Sequence, residues 1–223
     1  MTDLLGFISK YPLDAFSHLI ILLPIVTGFI HYTLLQKGPK IFIFYFLTVF
    51  IKESVGLYTA LHGTANLYLQ NSQSVIDIGL IGLAFYSSLY NSKLKSNLLY
   101  TLVACLLVSL ASFKIDVISP INQIAGKLFC IITALFFFTD TLRGLRIVNL
   151  TIYPAFWLGS GTLLYGAGTF LITLFGQVLV SSSTSEDTFE FFWNTQQIIY
   201  CMFCVFTTVG FWVSRYEKQQ AAE

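Results

Sequence analysis

The chain has 223 residues, of which 56% are hydrophobic and 10% charged, with a mean hydropathy of +0.75 and a formal net charge of +1. Soluble domains carry about 25% charged residues, so this composition excludes a soluble globular protein. The near-neutral charge also lacks the basic footprint of a nucleic-acid binder.

Seven apolar segments can be counted, at approximately 15–35, 41–61, 73–90, 98–113, 124–142, 153–180 and 189–214. A membrane-crossing helix needs about 20 apolar residues, and short connections with turn chemistry, such as Gln36-Lys37-Gly38-Pro39-Lys40, separate the segments. The expected fold is all-α: a polytopic membrane protein, a seven-transmembrane-helix bundle filling one integral membrane domain over 1–223. The opening MTDLLGFISKYPLDAF lacks a basic n-region and a small-residue cleavage site, so the first segment is expected to remain in the mature protein.

Taken in order, the segments carry a few ionisable groups, which are costly in hydrocarbon and are functional candidates by default. Asp14 and His18 are one turn apart at the start of the first segment. Lys52 and Glu53 fall near the middle of the second, which His62 closes. Sequence neighbours are about 100° apart on a helix, so Lys52 and Glu53 are not expected to share one face: Glu53 is either neutral or paired with a cation on another helix, and Lys52 either snorkels or finds its own acid. Asp77 is expected about one turn into the third segment, and Lys127 opens the fifth from outside. Asp140 and Arg143 read as an i,i+3 surface pair at the other end of the fifth. The sixth segment, Tyr153 to Val180, has no charge and sets Gly159, Thr162, Gly166, Thr169, Thr173 and Gly176 on one face, a stripe that lets helix backbones approach closely in lipid. Asn194, Gln196, Gln197 and Tyr200 stand on the seventh.

The lysines and arginines set an orientation. With the N-terminus outside, the inner loops and tail hold Lys37, Lys40, Lys93, Lys95, Arg143, Arg146, Arg215 and Lys218, and the outer side holds Lys10, Lys114 and Lys127. Lys52, within a segment, completes the twelve. The expected topology is N-out and C-in, in a bacterial inner (plasma) membrane.

Several chemistries are poorly served. The seventh segment has no lysine for a retinal Schiff base. The three histidines, His18, His31 and His62, do not group, and no HExxH or GxSxG occurs. Cys105, Cys130, Cys201 and Cys204 lie in apolar runs and read as small buried hydrophobes. No enzyme activity, metal or cofactor is expected, and the only defensible catalytic grouping is Asp14, His18, His62 and Asp77. The polar residues Glu53, Lys52, Asp77, His62, His18, Lys127, Asn194, Gln196, Gln197 and Tyr200 are expected to line an outward pocket. The first expectation is a receptor-like sensor or signal relay; a proton- or ion-coupled carrier or channel and a structural subunit are the alternatives. Because only RYEKQQAAE follows Ser214, output is expected through a separate cytoplasmic or membrane partner. The other expected partners are the lipid bilayer and further copies of the chain.

The stretches ANLYLQNSQSVIDIGLIGLAFY, YPAFWLGSGTLLYGAGTFLITLFGQVLV and FWNTQQIIYCMFCVFTTVGFW carry a resemblance. They resemble an uncharacterised family of seven-helix membrane proteins of Gram-negative bacteria, often encoded near two-component signalling genes. The resemblance implies acids on the second and third helices, where Glu53 and Asp77 stand. Gln196 stands where the family has a histidine, a departure that counts against a metal or proton role there.

Overall fold

The computed structural model describes residue 6 and residues 11–144, 149–175 and 185–220, with backbone alone for 186 and 217–220. The fold is all-helical, and no strand occurs among the described residues. Helices α1 (Pro12–Ile20) and α2 (Leu22–Ile30) form one interrupted span. The interruption is a single residue: Pro24 has no N–H to return to the Ile20 carbonyl, but Ile21 keeps helical dihedrals (φ −58°, ψ −28°), so Pro12–Ile30 remains one span. Helix α3 (Lys37–Leu61) ends on His62, after which Gly63 takes φ +68°. The Thr64 N–H bonds the Thr59 carbonyl at 3.0 Å and the Gly63 N–H bonds that of Ala60 at 3.1 Å, a Schellman closure that a glycine favours.

The third segment runs from Leu67 to Ser88, earlier than expected, as α4 (Leu67–Ile76), a π-helical turn (Asp77–Ile81) and α5 (Gly82–Ser88). Asp77 therefore lies nearly three turns into the helix rather than one. Helix α6 (Ser92–Ala111) begins on Asn91, whose side chain accepts from the Lys93 and Leu94 N–H groups. Helices α7 (Pro120–Gly144) and α8 (Pro154–Leu174) each begin with proline, where the missing N–H costs nothing, and α9 (Glu186–Gln220) closes the chain.

Six helices among the described residues are long and apolar enough to cross a membrane: Pro12–Ile30, Lys37–Leu61, Ser92–Ala111, Pro120–Arg143, Pro154–Leu174 and Asp187–Tyr216. The α4–α5 segment is not among them, because the π turn divides it and its first half, LYLQNSQS, is polar.

The helices close a ring: α1–α2 meets α3, α3 meets α4–α5, and α7, α8 and α9 follow, with α9 returning to α1–α2. Helix α6 stands outside it, against α7 and α5, and buries only 11% of its apolar window. At one end Asn71 ties α4 to the 112–119 loop: its amide donates to the Lys114 and Val117 carbonyls and its oxygen accepts from the Ser119 N–H. Trp193 reaches Asp14 at the same end. At the opposite end Asp140 accepts from the Tyr90 N–H at 2.6 Å and the Asn91 N–H at 3.3 Å. Asp140 is thus a clamp on the α5–α6 turn, and no ion pair joins it to Arg143 as expected; the backbone N–H groups of Tyr90 and Asn91 are its partners instead.

Helix α8 fits between α7 and α9 because it presents little side chain to either. A Cβ on Gly159 would sit 2.8 Å from the Phe137 ring, and one on Gly166 would sit 3.0 Å from Cys130 and 3.1 Å from the Lys127 carbonyl. On the other face, Gly161 meets Phe203 and Phe206, and Gly168 meets Ile199. Thr162, Thr169 and Thr173 are buried and return their hydroxyls to carbonyls one turn back in their own helix. Gly176, the last of the predicted stripe, lies outside the described residues. In lipid such close approach supplies the packing that water exclusion supplies elsewhere. Gly166→Leu is expected to lower stability by about 1–3 kcal/mol through overpacking, measured by SDS-titrated unfolding, whereas Leu171→Ala on the exposed face should change it little.

Candidate functional site

Inside the ring, at the end that carries Asp14 and Asn71, lies a cavity of about 470 Å³, within the usual size range of small-molecule sites. Its walls come from α1 (Asp14, His18), α3 (Lys52, Glu53), α4 (Gln70, Gln73), α7 (Gln123, Lys127), α8 (Tyr165) and α9 (Trp193, Gln196, Gln197, Tyr200). Apolar residues such as Leu19, Ile21, Val49 and Leu57 fill the spaces between them.

The floor is a buried charge pair. Lys127 Nζ lies 2.9 Å from Asp77 Oδ2, with both side chains almost entirely out of solvent. The other carboxylate oxygen, Oδ1, accepts from the Tyr45 hydroxyl at 3.0 Å and from Gln73 Nε2 at 2.7 Å. The Tyr165 hydroxyl lies 3.3 Å from Oδ2 and also accepts from Lys127, whose ammonium sits 3.9 Å from the Tyr165 ring centre. Four donors from four segments thus converge on one carboxylate and use its acceptor capacity. The π turn begins at Asp77 itself, and such wide turns occur frequently at functional sites.

Nearer the rim, Lys52 Nζ lies 2.6 Å from Glu53 Oε1, the lysine buried and the acid more than a third exposed. The two residues therefore pair with each other, against the expectation from helical spacing: the flexible lysine stem bridges the 100° between them. His18 is 3.3 Å from the Ser54 hydroxyl and stacks on Phe50 with ring centres 4.9 Å apart. Asp14 Oδ1 accepts from the Trp193 indole N–H at 2.8 Å.

Of the ten residues expected at a pocket, seven line this one: Lys52, Glu53, His18, Lys127, Gln196, Gln197 and Tyr200. Asp77 lies just beneath, fully buried. Two stand elsewhere. His62 bonds the Tyr58 carbonyl at the exposed end of α3, and Asn194 is on an exposed face of α9. Lys127 is a buried group rather than one of the outer charges, because Asp77 draws it inward. Sequence reasoning left out Gln73, Tyr45 and Trp193. Gln73 stands one turn from Asp77 on the same helix, and that i,i+4 spacing could have placed it beside the acid. Among the described residues no group of three or more His, Cys, Asp or Glu side chains could hold a metal ion.

Beneath the floor the ring is closed by aromatic side chains. Phe203 packs on Phe42, Tyr45 and Phe46 and stacks on Tyr165 at 5.1 Å, while Phe42 meets Phe85 and Phe85 meets Phe137. The buried Asp, Glu, Lys and Arg residues among the described ones are Lys52, Asp77 and Lys127, all at the cavity.

No known protein family, curated protein or solved structure matches this chain.

The pair at the floor makes a double-mutant test. Lys127→Met alone strands the Asp77 carboxylate and is expected to cost about 3–5 kcal/mol in a detergent unfolding titration. Adding Asp77→Asn should recover part of that loss, so that the double variant is more stable than the sum of the singles.

Proposed function

We propose that this protein is a seven-span, N-out inner-membrane protein that binds a small molecule in an outward cavity and relays occupancy to a separate partner. In this reading it is a receptor-like sensor and not an enzyme. The observation that carries it is the blind cavity: about 470 Å³ of mixed polar and apolar wall, ending on a saturated ion pair over an aromatic plug.

Support for the seventh span comes from the Leu67–Ser88 segment, helical throughout, whose beginning lies by the 112–119 loop and whose end lies by Asp140. Support for the orientation comes from the charges. Among the described residues Lys37, Lys40, Lys93, Lys95, Arg143 and Arg215 occupy or flank the helix ends away from the cavity, and Lys114 is at the cavity end. The end remote from the cavity would then be the face a cytoplasmic partner reads.

A carrier reading draws on one observation, the ion pair placed beside a π turn, since intramembrane carboxylates serve as relay groups. Against it, the aromatic layer offers no buried charged group beyond Asp77 among the described residues. Flux separates the two. Purified protein in liposomes with an internal pH dye, a pH gradient and a valinomycin-set potential is expected to move protons no faster than empty liposomes. Flux above that level, lost in Asp77→Asn or Glu53→Gln, would replace the sensor with a proton pathway.

A further inference from the structure

The lysines of the cavity are engaged, but a set of neutral side chains around it is not. Lys127 is held by Asp77 and Lys52 by Glu53, and the Gln197 amide lies against Asp14. Gln70 on α4, Gln123 on α7 and Gln196 on α9 line the same wall, each half-buried. Among the described residues their side-chain amides bond to no protein group. Unlike the Gln73 oxygen, their amide atoms keep open surface. Three helices thus offer hydrogen-bonding groups that a molecule in the cavity can reach.

The chemistry of an amide says what such a molecule should carry. Each amide has two N–H donors and a carbonyl acceptor, and no charge. Three of them therefore favour neither an anion nor a cation, and an anion would find both wall lysines already held by carboxylates. They match a neutral group that gives and takes hydrogen bonds at once, as a hydroxyl does. Because the amides stand on different walls, one hydroxyl cannot serve them all. The ligand needs several, spread around a compact body. Its hydroxyls take the place of solvent at the amides, an exchange that keeps every hydrogen bond. The Trp193 ring, on the same helix as Gln196, gives a flat apolar face for the carbon skeleton.

We propose that the cavity binds a neutral polyhydroxylated molecule, a monosaccharide or polyol, held by Gln70, Gln123 and Gln196 with Trp193 against its carbon skeleton. This rests on the ligand-binding reading above and gives that ligand its chemistry.

The test uses the full chain in lipid nanodiscs and a panel of D-glucose, D-galactose, D-mannitol and myo-inositol. Tetrahydropyran-2-methanol, a sugar ring stripped of its ring hydroxyls, is the comparison. Binding is followed by tryptophan fluorescence and by thermal shift. At least one of the four is expected to bind saturably, about tenfold or more tightly than the stripped ring. Gln123→Met and Gln196→Met keep the side-chain length and lose the amide. Each is expected to weaken the best polyol about two- to tenfold. Neither amide holds another part of the protein, so both variants should unfold as the parent does. Should either fail to fold, the comparison of polyol with stripped ring on the parent chain decides alone. If the stripped ring binds as tightly as the best polyol, or binds alone, or if that polyol is indifferent to both substitutions, the hydroxyl site is overturned and the cavity stands as a ligand site of another class. If none of the five binds saturably, the hydroxyl site and the ligand-binding reading fall together.

Discussion

The ion pair between Asp77 and Lys127 is the constraint on which this structure depends. Two charges held this far from water are tolerable only with close geometry and full hydrogen bonding, and here Tyr45, Gln73 and Tyr165 complete the shell. Those five residues come from α3, the α4–α5 segment, α7 and α8. One electrostatic requirement therefore fixes the depth of four ring segments relative to one another. Lipid offers little apolar driving force for helix register, so a polar knot is an efficient way to set it.

Above and below the knot the ring changes character. Above, polar side chains from α1, α3, α4, α7 and α9 leave space between them. Below, phenylalanines from α3, α5, α7 and α9 fill it. Helix α8 makes both possible. Its glycines face α7 on one side and α9 on the other, so the three helices come close enough for Tyr165 to reach Asp77 and still stack on Phe203.

Much of this was legible in the sequence. Hydropathy alone announces long membrane helices, and the rarity of ionisable groups in them makes Lys52, Glu53, Asp77 and Lys127 conspicuous. What the sequence does not display is depth. Nothing in the residues around 77 and 127 says that they meet, since their segments were bounded independently and Leu67 starts its helix two turns before the apolar run. The Lys52–Glu53 pair defeats a rule about faces because lysine is long. Asn71 is a single amide in a polar stretch, yet it anchors an entire loop, and only the fold brings the 112–119 carbonyls to it. The π turn has no composition of its own, since its residues, DIGLI, would sit equally well in an α-helix.

That turn has a further consequence. A π turn holds one residue more than the α-turn it replaces, and one residue is about 100° of rotation. The faces of α4 and α5 are accordingly indexed separately: the first aims Gln73 and Asp77 at the knot, and the second aims Gly82 at Phe129 and Leu102. Relaxing the wide turn into regular helix would let one half rotate against the other without breaking the helix. The segment is built like a key with two bits on one shaft, and the position of the extra residue decides which bits engage at once.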